Sequence, residues 1–381
     1  MRGRWGVVAA ISLARLTFGF QFQALASVGP ELVAAFRLDY ATLGTLIGLY
    51  MAPGILVALP GGLLGRRYGE RVVVGGGLLL MTLGSVVSGL AGGPAGIGAG
   101  RVLAGAGAVA LVVMQGKMVS DRFEGRAFLT VMGLLVGAFP VGVGLAGLLH
   151  GPITAAGGWA GMFLVGAGIA GAAALLFLAT AGSPVRSAGS AWALPSRRES
   201  TLVVVAGLVW TAYNAGYYGF LSYLPSLMAV RGHPTGEAAL VLLVATWANL
   251  PATLAGGALA GRVGNWPVFL VGTLAGVLAV AGPALADWPL VWGLLFGTVA
   301  SLHAGVIVAV GTLSARPENR AVGMGLFYTT YYAGGALLPA VCGAAADWKG
   351  DPSGALLAAA ALAALAAPIY GLHQWLARRL A

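Results

Sequence analysis

Twelve long apolar segments divide the chain, and short polar stretches separate them. The segments lie near residues 5–28, 41–60, 72–91, 95–117, 127–149, 159–181, 201–229, 237–260, 267–286, 289–312, 321–345 and 354–376. A helix of about 20 apolar residues is long enough to cross the hydrocarbon core of a bilayer. The pattern therefore predicts an all-α membrane protein with twelve transmembrane helices.

The longest polar interruption lies in the middle of the chain, at residues 183–200, and carries Arg186, Arg197 and Arg198. Because it separates six predicted helices from six others, we interpret it as a linker. The predicted organisation is a six-helix bundle at residues 1–182, a cytoplasmic linker at 183–200 and a second six-helix bundle at 201–381.

Composition supports a membrane environment. The chain is 59% hydrophobic and 8% charged, whereas soluble domains carry about 25% charged residues. So few charges cannot cover the surface of a soluble protein of this length. The 63 glycines suit close packing of membrane helices. The single cysteine, Cys342, offers neither a disulfide nor a metal cluster, and we expect no metal and no cofactor.

Lysine and arginine are concentrated in alternate loops, and the other loops contain only Arg37, Arg231 and Lys349. By the positive-inside rule, the basic loops and both termini are predicted to be cytoplasmic. This asymmetry explains the net charge of +10, which is therefore no sign of nucleic-acid binding. We expect a multi-pass protein of the plasma (inner) membrane. The basic loops hold Arg2, Arg4, Arg66, Arg67, Arg71, Lys117, Arg122, Arg126, Arg186, Arg197, Arg198, Arg262, Arg316, Arg320, Arg378 and Arg379.

The two halves resemble each other at a nearly constant offset of 194 or 195 residues. Matches at three equivalent places argue for duplication of a six-helix unit, which is a recognised transporter design. The matching positions are Pro30 with Pro225, Gly62 with Gly257, Arg67 with Arg262, Gly69 with Gly264, and the loop 122–127 with the loop 316–321.

Two motifs carry a resemblance to a known family. The loop Gly61-Gly62-Leu63-Leu64-Gly65-Arg66-Arg67-Tyr68-Gly69-Glu70-Arg71 resembles the signature G-x-L-x-D-R-x-G-R-[RK] of the major facilitator superfamily, with Gly65 in place of its aspartate. The run Arg101-Val-Leu-Ala-Gly105-Ala-Gly107 resembles the superfamily's fourth-helix motif, R-x-x-x-G-x-G. The resemblance implies the major facilitator fold, in which helices 1, 4, 7 and 10 line a central cavity.

The resemblance also implies conformational roles for some residues and suggests a subgroup. Gly62, Arg66, Arg67, Gly69 and Arg101 are expected to act in gating. The repeated loops are predicted to form cytoplasmic ion pairs that favour the outward-facing state, using Glu124 and Arg126 in one loop and Glu318 and Arg320 in the other. The segment Ser27-Val28-Gly29-Pro30 and the seventh-helix run from Trp210 to Tyr218 look most like the cyanate and nitroimidazole transporter group.

Arg15 lies about ten residues into the first predicted helix, near the middle of the bilayer. An arginine there costs from about 2.5 to above 10 kcal/mol unless it faces water or a partner. The 11 acidic residues all fall at predicted helix ends or in loops, so no carboxylate is available at that depth. We interpret Arg15 as the residue that binds an anionic substrate, because its planar guanidinium group suits carboxylate-like groups. The alternative is an arginine held by backbone and side-chain oxygens.

Other polar side chains extend this predicted site. Trp210, Asn214 and Tyr217 share one face of the seventh helix, with Tyr213 beside them. We interpret these as a cavity face, because buried hydroxyls need partners; the alternative is an interfacial aromatic belt. His303 is a candidate for proton uptake, or else a packing residue. The remaining predicted substrate-binding residues are Gln21, Gln115, Tyr328, Tyr331 and Tyr332, with Asn249 as a weaker candidate.

The expected function is transport of a small anionic solute by alternating access, by a functional monomer in the lipid bilayer. No G-x-x-x-x-G-K-[ST] loop is present, so the driving force should be a gradient. A coupling proton would have to use His303, the substrate or a loop carboxylate; uniport and anion exchange stay open. The alternatives are proton-driven efflux of hydrophobic compounds and a non-transporting membrane sensor or assembly protein. We find no nucleophile–base or metal constellation that would indicate an enzyme.

Overall fold

The computed structural model describes residues 2–58, 67–120, 122–180 and 195–379, and their regular secondary structure is helical throughout. Each of the twelve predicted spans contains a helix within these residues, so the predicted all-α fold is confirmed. Most of the predicted linker, up to residue 194, lies outside the described residues.

The first half contains six membrane-length passages. A short helix, Gly29–Phe36, follows the first of them. The fifth and sixth form one helical run, Gly125–Thr180, which Gly158 interrupts with a φ of 60°. The passages are α1 (Arg2–Ser27), α2 (Tyr40–Gly48 with Gly54–Val57), α3 (Glu70–Gly89), α4 (Pro94–Ser120), α5 (residues 125–157) and α6 (residues 159–180).

The second half repeats this arrangement. The fourth passage of this half is broken in the middle by a 3-10 turn, Val299–Ser301. The passages are α7 (Arg197–Val230), α8 (Thr235–Trp247 with Asn249–Val263), α9 (Asn265–Leu285), α10 (Pro289–Gly297 with Ala304–Leu313), α11 (Arg320–Lys349) and α12 (Ser353–Ala364 with Ala366–Arg379).

Hydropathy sets the long helices α7 and α11 apart. Eight helical segments of the described chain are long and apolar enough to cross a membrane, and α2, α7 and α11 are not among them. The described segments of α2 are short, whereas α7 and α11 are long, at 34 and 30 residues, but their tryptophan, tyrosine and asparagine side chains lower their hydropathy. A long membrane helix with a polar face contacts something other than lipid, which is the situation described below for both helices.

The backbone conformation shows the same internal repeat as the sequence. Gly69 begins α3 with φ 78° and ψ 160°, and Gly264 begins α9 with φ 91° and ψ 161°. These conformations are accessible to glycine and strained for other residues. Two glycines 195 residues apart therefore turn the chain in the same way at equivalent places in the two halves.

The halves meet along two helix pairs, α2 with α11 and α5 with α8. Small residues permit the close approach: a Cβ on Gly48 would collide with the Ala336 carbonyl oxygen, and one on Gly144 would press on Trp247. Both contacts run towards one end of the molecule. We call this end, whose loops carry Arg37, Arg231 and Lys349, the arginine-poor end, and the opposite end the arginine-rich end.

The molecule is closed at the arginine-poor end. There the backbone N–H groups of Tyr40 and Ala41 both donate to the Asp347 carboxylate, at 2.8 Å each, and Gln23 donates to the Leu221 carbonyl at 3.0 Å. Towards the arginine-rich end the α5–α8 contact stops: Gly137 packs on Leu250, whereas Gly133, one turn further, has open space beside it. The structure is therefore an inward-facing arrangement if the arginine-rich end is cytoplasmic.

Candidate functional site

A cavity of about 400 Å³ lies between the halves and is lined by side chains of both. Its walls come from α1, α4 and α5 in the first half and from α7, α8, α10 and α11 in the second. Eight of the eleven predicted substrate-binding residues line it: Arg15, Trp210, Tyr213, Asn214, Tyr217, Tyr328, Tyr331 and Tyr332.

Among the described side chains that line this cavity, Arg15 is the one that carries a charge, and none is a carboxylate. Its guanidinium carbon lies 5.4 Å from the Phe18 ring centre and 5.8 Å from that of Phe139. Its Nε atom is buried and has no hydrogen-bond partner. The aromatic rings stabilise the cation partly, and they leave donor groups available to an acceptor in the cavity.

The opposite wall is aromatic and carries hydroxyl and N–H groups. Trp210 stacks on Tyr213 with ring centres 5.0 Å apart, and its buried indole Nε1 has no hydrogen-bond partner. The Tyr218 and Tyr331 hydroxyls hydrogen-bond to each other. The two unpartnered buried atoms on the described lining, Arg15 Nε and Trp210 Nε1, are both N–H donors. The cavity therefore favours a guest that carries acceptor oxygens and apolar surface.

A polar cluster joins α8 to the break in α10 at the edge of this cavity. The Asn249 amide donates to Ser301 Oγ at 2.7 Å, and the Thr253 hydroxyl donates to the Ser301 carbonyl at 3.3 Å. Asn249 was a weak candidate from sequence, and Thr253 was missed. The aromatic residues Phe18 and Phe139 were missed as well, because an apolar residue in an apolar helix gives no signal for a cavity.

Gln21 and Gln115 lie elsewhere, packed inside the first half. The Gln21 amide donates to the Gly166 carbonyl at 3.1 Å and to the Met81 carbonyl at 3.3 Å, tying α1 to α6 and α3. The Gln115 amide donates to the Ile11 carbonyl at 2.8 Å. Both side chains are buried. Their polar groups hold neighbouring helices together and do not face the central cavity.

Arg101 lies on α4, and its buried side chain packs against a distorted part of α2. Around Pro53 the helix changes to shorter-range bonds, such as Met51 N–H to the Gly48 carbonyl at 2.8 Å. The Arg101 guanidinium donates to the Gln21 carbonyl at 2.6 Å and, more weakly, to the Leu46 carbonyl at 3.4 Å. It also lies 4.2 Å from the centre of the Tyr50 ring. Arg101 therefore supplies donors to carbonyl groups on α1 and α2.

His303 lies beside the central cavity rather than in it. It precedes the second segment of α10, and its ring makes edge-to-face contacts with Tyr213 at 5.0 Å and Phe269 at 5.3 Å. Its Nδ1 atom is buried without a hydrogen-bond partner. A Cβ on Gly272 would collide with this ring, so a glycine on α9 makes room for it. The contacts are those of a packed histidine behind Tyr213.

The predicted gating residues are only partly described. Gly62 and Arg66 lie outside the described residues, as does the side chain of Arg126. The Arg67 guanidinium lies 5.4 Å from the Tyr68 ring centre. Gly69 has the positive φ given above. Arg320 is half-buried, and its Nε atom has no hydrogen-bond partner.

The predicted ion pairs of Glu124 and Glu318 belong to the outward-facing state and stay predictions; other acids form the contacts of the described residues at the arginine-rich end. Glu124 and Glu318 are exposed. Instead, Glu70 pairs with Arg122 at 2.5 Å, and Glu199 accepts from the Arg316 backbone N–H at 2.8 Å and from the Asn319 amide at 2.9 Å. Both acids lie in the first turn of a helix, α3 or α7, where the helix dipole favours a negative charge.

Comparison with known proteins agrees with this architecture. The sequence matches the Major Facilitator Superfamily over residues 11–339. The 3-(3-hydroxy-phenyl)propionate transporter of Escherichia coli (strain K12) is 26% identical over 328 residues, which are 82% of this chain and 80% of that protein. The inner membrane transport protein YajR of the same organism is 32% identical over 152 residues. That match spans 40% of this chain and about a third (32%) of the length of YajR.

Two solved structures share the fold. A bacterial homologue of the human lysosomal transporter Spinster, crystallised in an inward-facing and occupied conformation, has a TM-score of 0.77 at 17% identity, with 98% of this chain and 97% of that chain covered. A point mutant of the nucleoside transporter NupG has a TM-score of 0.76 at 13% identity, with 96% of this chain and 99% of that chain covered.

A membrane-embedded protein of two repeated six-helix halves, with a cavity between them, is a transporter by class rather than an enzyme. The chain belongs to the Major Facilitator Superfamily, as its second-to-third loop and its Arg101 motif predicted.

Proposed function

We propose that this transporter is a secondary carrier for a small organic anion, a carboxylate with an apolar or aromatic body. The observation that carries the proposal is Arg15, a cation in a cavity whose described lining holds no carboxylate. Arg15 is half-buried, and a partly desolvated charge without a counterion is unfavourable until a partner arrives. An anionic solute supplies that partner, so the cavity has a physical reason to prefer anions.

The rest of the lining supports an organic anion over an inorganic one. A cavity of about 400 Å³ falls within the roughly 300–1,000 Å³ range of small-molecule sites. Phe18, Phe139 and Trp210 offer ring faces and edges on which an apolar body can pack. A relative that is 26% identical is a 3-(3-hydroxy-phenyl)propionate transporter, which agrees with a carboxylate bearing an aromatic ring. The segment Ser27-Val28-Gly29-Pro30 supports a place near the cyanate and nitroimidazole group, which stays a prediction.

The carrier works by alternating access as a monomer in the inner membrane, with both termini cytoplasmic. In the described conformation the α2–α11 and α5–α8 contacts close the arginine-poor end. Exchange with the other conformation would separate these contacts and bring the arginine-rich ends together. Gly48 and Gly144, which permit the close approach, are the positions on which closure depends.

A second candidate function is efflux of hydrophobic compounds, which the aromatic wall of the cavity favours. The two functions differ in their dependence on Arg15. Efflux of neutral or cationic compounds needs no cation in the cavity, whereas binding of a carboxylate loses a charge-assisted contact of about 1.5–3 kcal/mol without it.

The test is ligand-induced thermal stabilisation of the purified protein, comparing 3-(3-hydroxyphenyl)propionate and 3-phenylpropionate with the uncharged 3-phenylpropanamide and with cyanate. We expect the two aromatic carboxylates to raise the melting temperature and the amide not to. Arg15→Ala should lower the carboxylate affinity by about 10- to 100-fold, and Arg15→Lys should lower it less. The exposed Arg262→Ala is the matched control. Equal stabilisation of the parent and Arg15→Ala would refute the proposal, and a preference of both for the amide would favour efflux.

A further inference from the structure

A second large cavity, of about 500 Å³, lies within the second half at the arginine-rich end. It is formed where α7 and α11 begin and where α10 and α12 end. Among the described residues, none lines both this cavity and the central one that contains Arg15. It is therefore a separate place at which a molecule can bind.

The described lining of this cavity is strongly basic. Arg198, Arg316 and Arg320 line it, and they face a single acid, Glu199. Three cations and one carboxylate leave a net charge of +2 on the lining. A cleft lined mainly by charges of one sign concentrates ions of the opposite sign, so the cavity attracts anions.

The single acid is already occupied by other donors. Glu199 accepts from the Arg316 backbone N–H at 2.8 Å and from the Asn319 amide at 2.9 Å. Its contact with the Arg316 guanidinium is loose, because Nε lies 4.0 Å away and that side chain is 78% exposed. Within the described part of the chain, Arg198 and Arg320 form no ion pair. The guanidinium groups are therefore available to a ligand.

Acids that are close in sequence do not neutralise this lining. Glu318 lies between two of the arginines in the chain, but it is exposed and does not line the cavity. Residues 181–194, which precede α7, carry Arg186 and no acidic residue. The positive charge is therefore balanced by ions from solution or by a bound anion.

Two buried nitrogen atoms on the described lining, Arg320 Nε and His373 Nδ1, have no hydrogen-bond partner. His373 is only 5% exposed. The Ser314 hydroxyl donates to the Val310 carbonyl at 2.8 Å, so its oxygen accepts from His373 Nε2, which lies 2.9 Å away. In the neutral imidazole this leaves a lone pair on Nδ1. A ligand that suits both atoms carries acceptor oxygens and a hydroxyl group.

The surroundings of the cavity are those of a membrane interface. Leu313, on its lining, is 71% exposed. Trp375 follows the lining residue Gln374 and is 48% exposed, and the Arg379 guanidinium lies 4.3 Å from the centre of its ring. Exposed tryptophan and basic side chains are typical of the depth at which lipid headgroups lie. Basic pockets between membrane helices at that depth bind anionic headgroups.

We propose that this cavity binds a phosphate group through the guanidinium groups of Arg198, Arg316 and Arg320. His373 accepts a hydrogen bond from a hydroxyl of the bound molecule. Guanidinium groups match the geometry of phosphate oxygens and form charge-assisted hydrogen bonds with them. A phosphatidylglycerol headgroup and hydrogen phosphate share this chemistry, since each carries phosphate oxygens and a hydroxyl.

A bound phosphate group stabilises the second half, because it connects the ends of helices that otherwise hold like charges near one another. Arg198 lies in the first turn of α7, and Arg320 is the first residue of α11. The site does not depend on whether the central cavity binds an organic anion, since Arg15 and the lining described here belong to different cavities.

The experiment measures the melting temperature of the delipidated protein in detergent, in a buffer whose only inorganic anion is chloride. Dioctanoyl phosphatidylglycerol, zwitterionic dioctanoyl phosphatidylcholine and sodium hydrogen phosphate are added in turn at constant ionic strength. Stabilisation by phosphatidylglycerol alone assigns the site to a lipid headgroup, and stabilisation by hydrogen phosphate assigns it to the free anion. We expect the lipid to act at the lower concentration, because Leu313 offers apolar surface to its chains.

Variants locate the binding. The double variant Arg198→Gln/Arg320→Gln should raise the concentration for half-maximal stabilisation by about tenfold or more, and Arg320→Lys should raise it less. Arg262→Gln is the matched control, because Arg262 is an exposed arginine in the last turn of α8 that does not line the cavity. Arg15→Ala should also respond as the parent does, since Arg15 lines the other cavity.

Dioctanoyl phosphatidylmethanol, which has the same charge as phosphatidylglycerol and no hydroxyl, tests the part played by His373. The parent should bind it severalfold more weakly than phosphatidylglycerol, and His373→Phe should bind the two lipids equally. A parent that binds both equally would overturn the role of His373.

Four results would overturn the site itself. They are no stabilisation of the parent by phosphatidylglycerol or hydrogen phosphate, equal stabilisation by phosphatidylcholine, an unchanged response in the Arg198→Gln/Arg320→Gln variant, and loss of the response in Arg15→Ala, which would place the anion in the central cavity.

Discussion

Replacing Arg101 by methionine tests whether a buried guanidinium holds the distorted part of α2 in place. Around Pro53 the N–H of Tyr50 bonds to the Ile47 carbonyl, at 3.4 Å, instead of continuing the regular helical pattern to Leu46. The Leu46 carbonyl therefore loses its usual donor, and Arg101 Nε lies 3.4 Å from it. Methionine keeps much of the length of the side chain and supplies no donor.

The magnitude follows from the contacts that are lost. The bond to the Gln21 carbonyl, at 2.6 Å, is a charge-assisted one worth about 1.5–3 kcal/mol. The contact of the guanidinium with the Tyr50 ring at 4.2 Å adds about 1–2 kcal/mol in a desolvated place. Methionine recovers some apolar burial and removes a buried charge, so we expect a net loss of about 3 kcal/mol. That corresponds to a fall in melting temperature of roughly 5 °C.

The assay is thermal unfolding of the purified protein in detergent, followed by intrinsic fluorescence at a fixed scan rate. Arg101→Lys should lie between the parent and Arg101→Met, because lysine keeps the charge and loses the planar fork. Arg67→Met is the matched control: its side chain lies at the surface against Tyr68, and it should change the melting temperature little. An Arg101→Met protein as stable as the parent would refute the reasoning.

Three further predictions concern the turns, the closed contact and the dependence on pH. Gly264→Ala should destabilise the protein by about 1–2 kcal/mol, because φ is 91° there; thermal unfolding measures this. Gly48→Leu should prevent α2 from reaching Ala336. In a Cys342→Ala background, maleimide labelling of a cysteine placed at Ala239, which is 8% exposed near the arginine-poor end of α8, should then rise severalfold. The carboxylate partners of His233 raise its pKa above 6.5. The stability that the charged histidine contributes to the folded protein is therefore complete below pH 6.5, and it is lost as the pH rises through the folded-state pKa. The melting temperature of the parent should therefore fall over that range, and His233→Gln should show a smaller slope.

Each of these has an outcome that contradicts it. Gly257→Ala, at a helical glycine with open space beside it, is the control for Gly264→Ala, and equal effects would remove the argument from φ. A Gly48→Leu protein labelled as slowly as the parent would mean that the closed end tolerates a wider α2–α11 spacing. An identical pH slope in His233→Gln would assign the slope to other groups.

Much of the central site could be predicted from the sequence, and the reason is energetic. A cation such as Arg15 in an apolar segment is too costly to face lipid, so its placement on an inner surface follows from composition alone. Trp210, Tyr213 and Tyr217 follow from helical spacing in the same way. The periodicity that selects one face of α7 is a property of the backbone and needs no tertiary information.

Glutamines show where this reasoning fails. Gln21 and Gln115 are as polar as the cavity residues, yet each finds carbonyl partners inside the first half. A polar side chain in a membrane helix has two stable outcomes, a cavity or an internal hydrogen bond, and the sequence does not distinguish them. The contacts of Glu70 with Arg122 and of Glu199 with Asn319 make the same point, because nothing in the local sequence names these partners.

The sequence by itself determined the all-helical membrane architecture, the duplicated halves and the depth of Arg15, because hydropathy and repeat spacing are properties of the chain read along its length. Only the tertiary structure decided which end is closed and which helices meet there. It also brought His150 within 3.0 Å of Glu31, although 119 residues separate them. Contacts of that kind depend on how the helices of one bundle pack against each other, which no local pattern records.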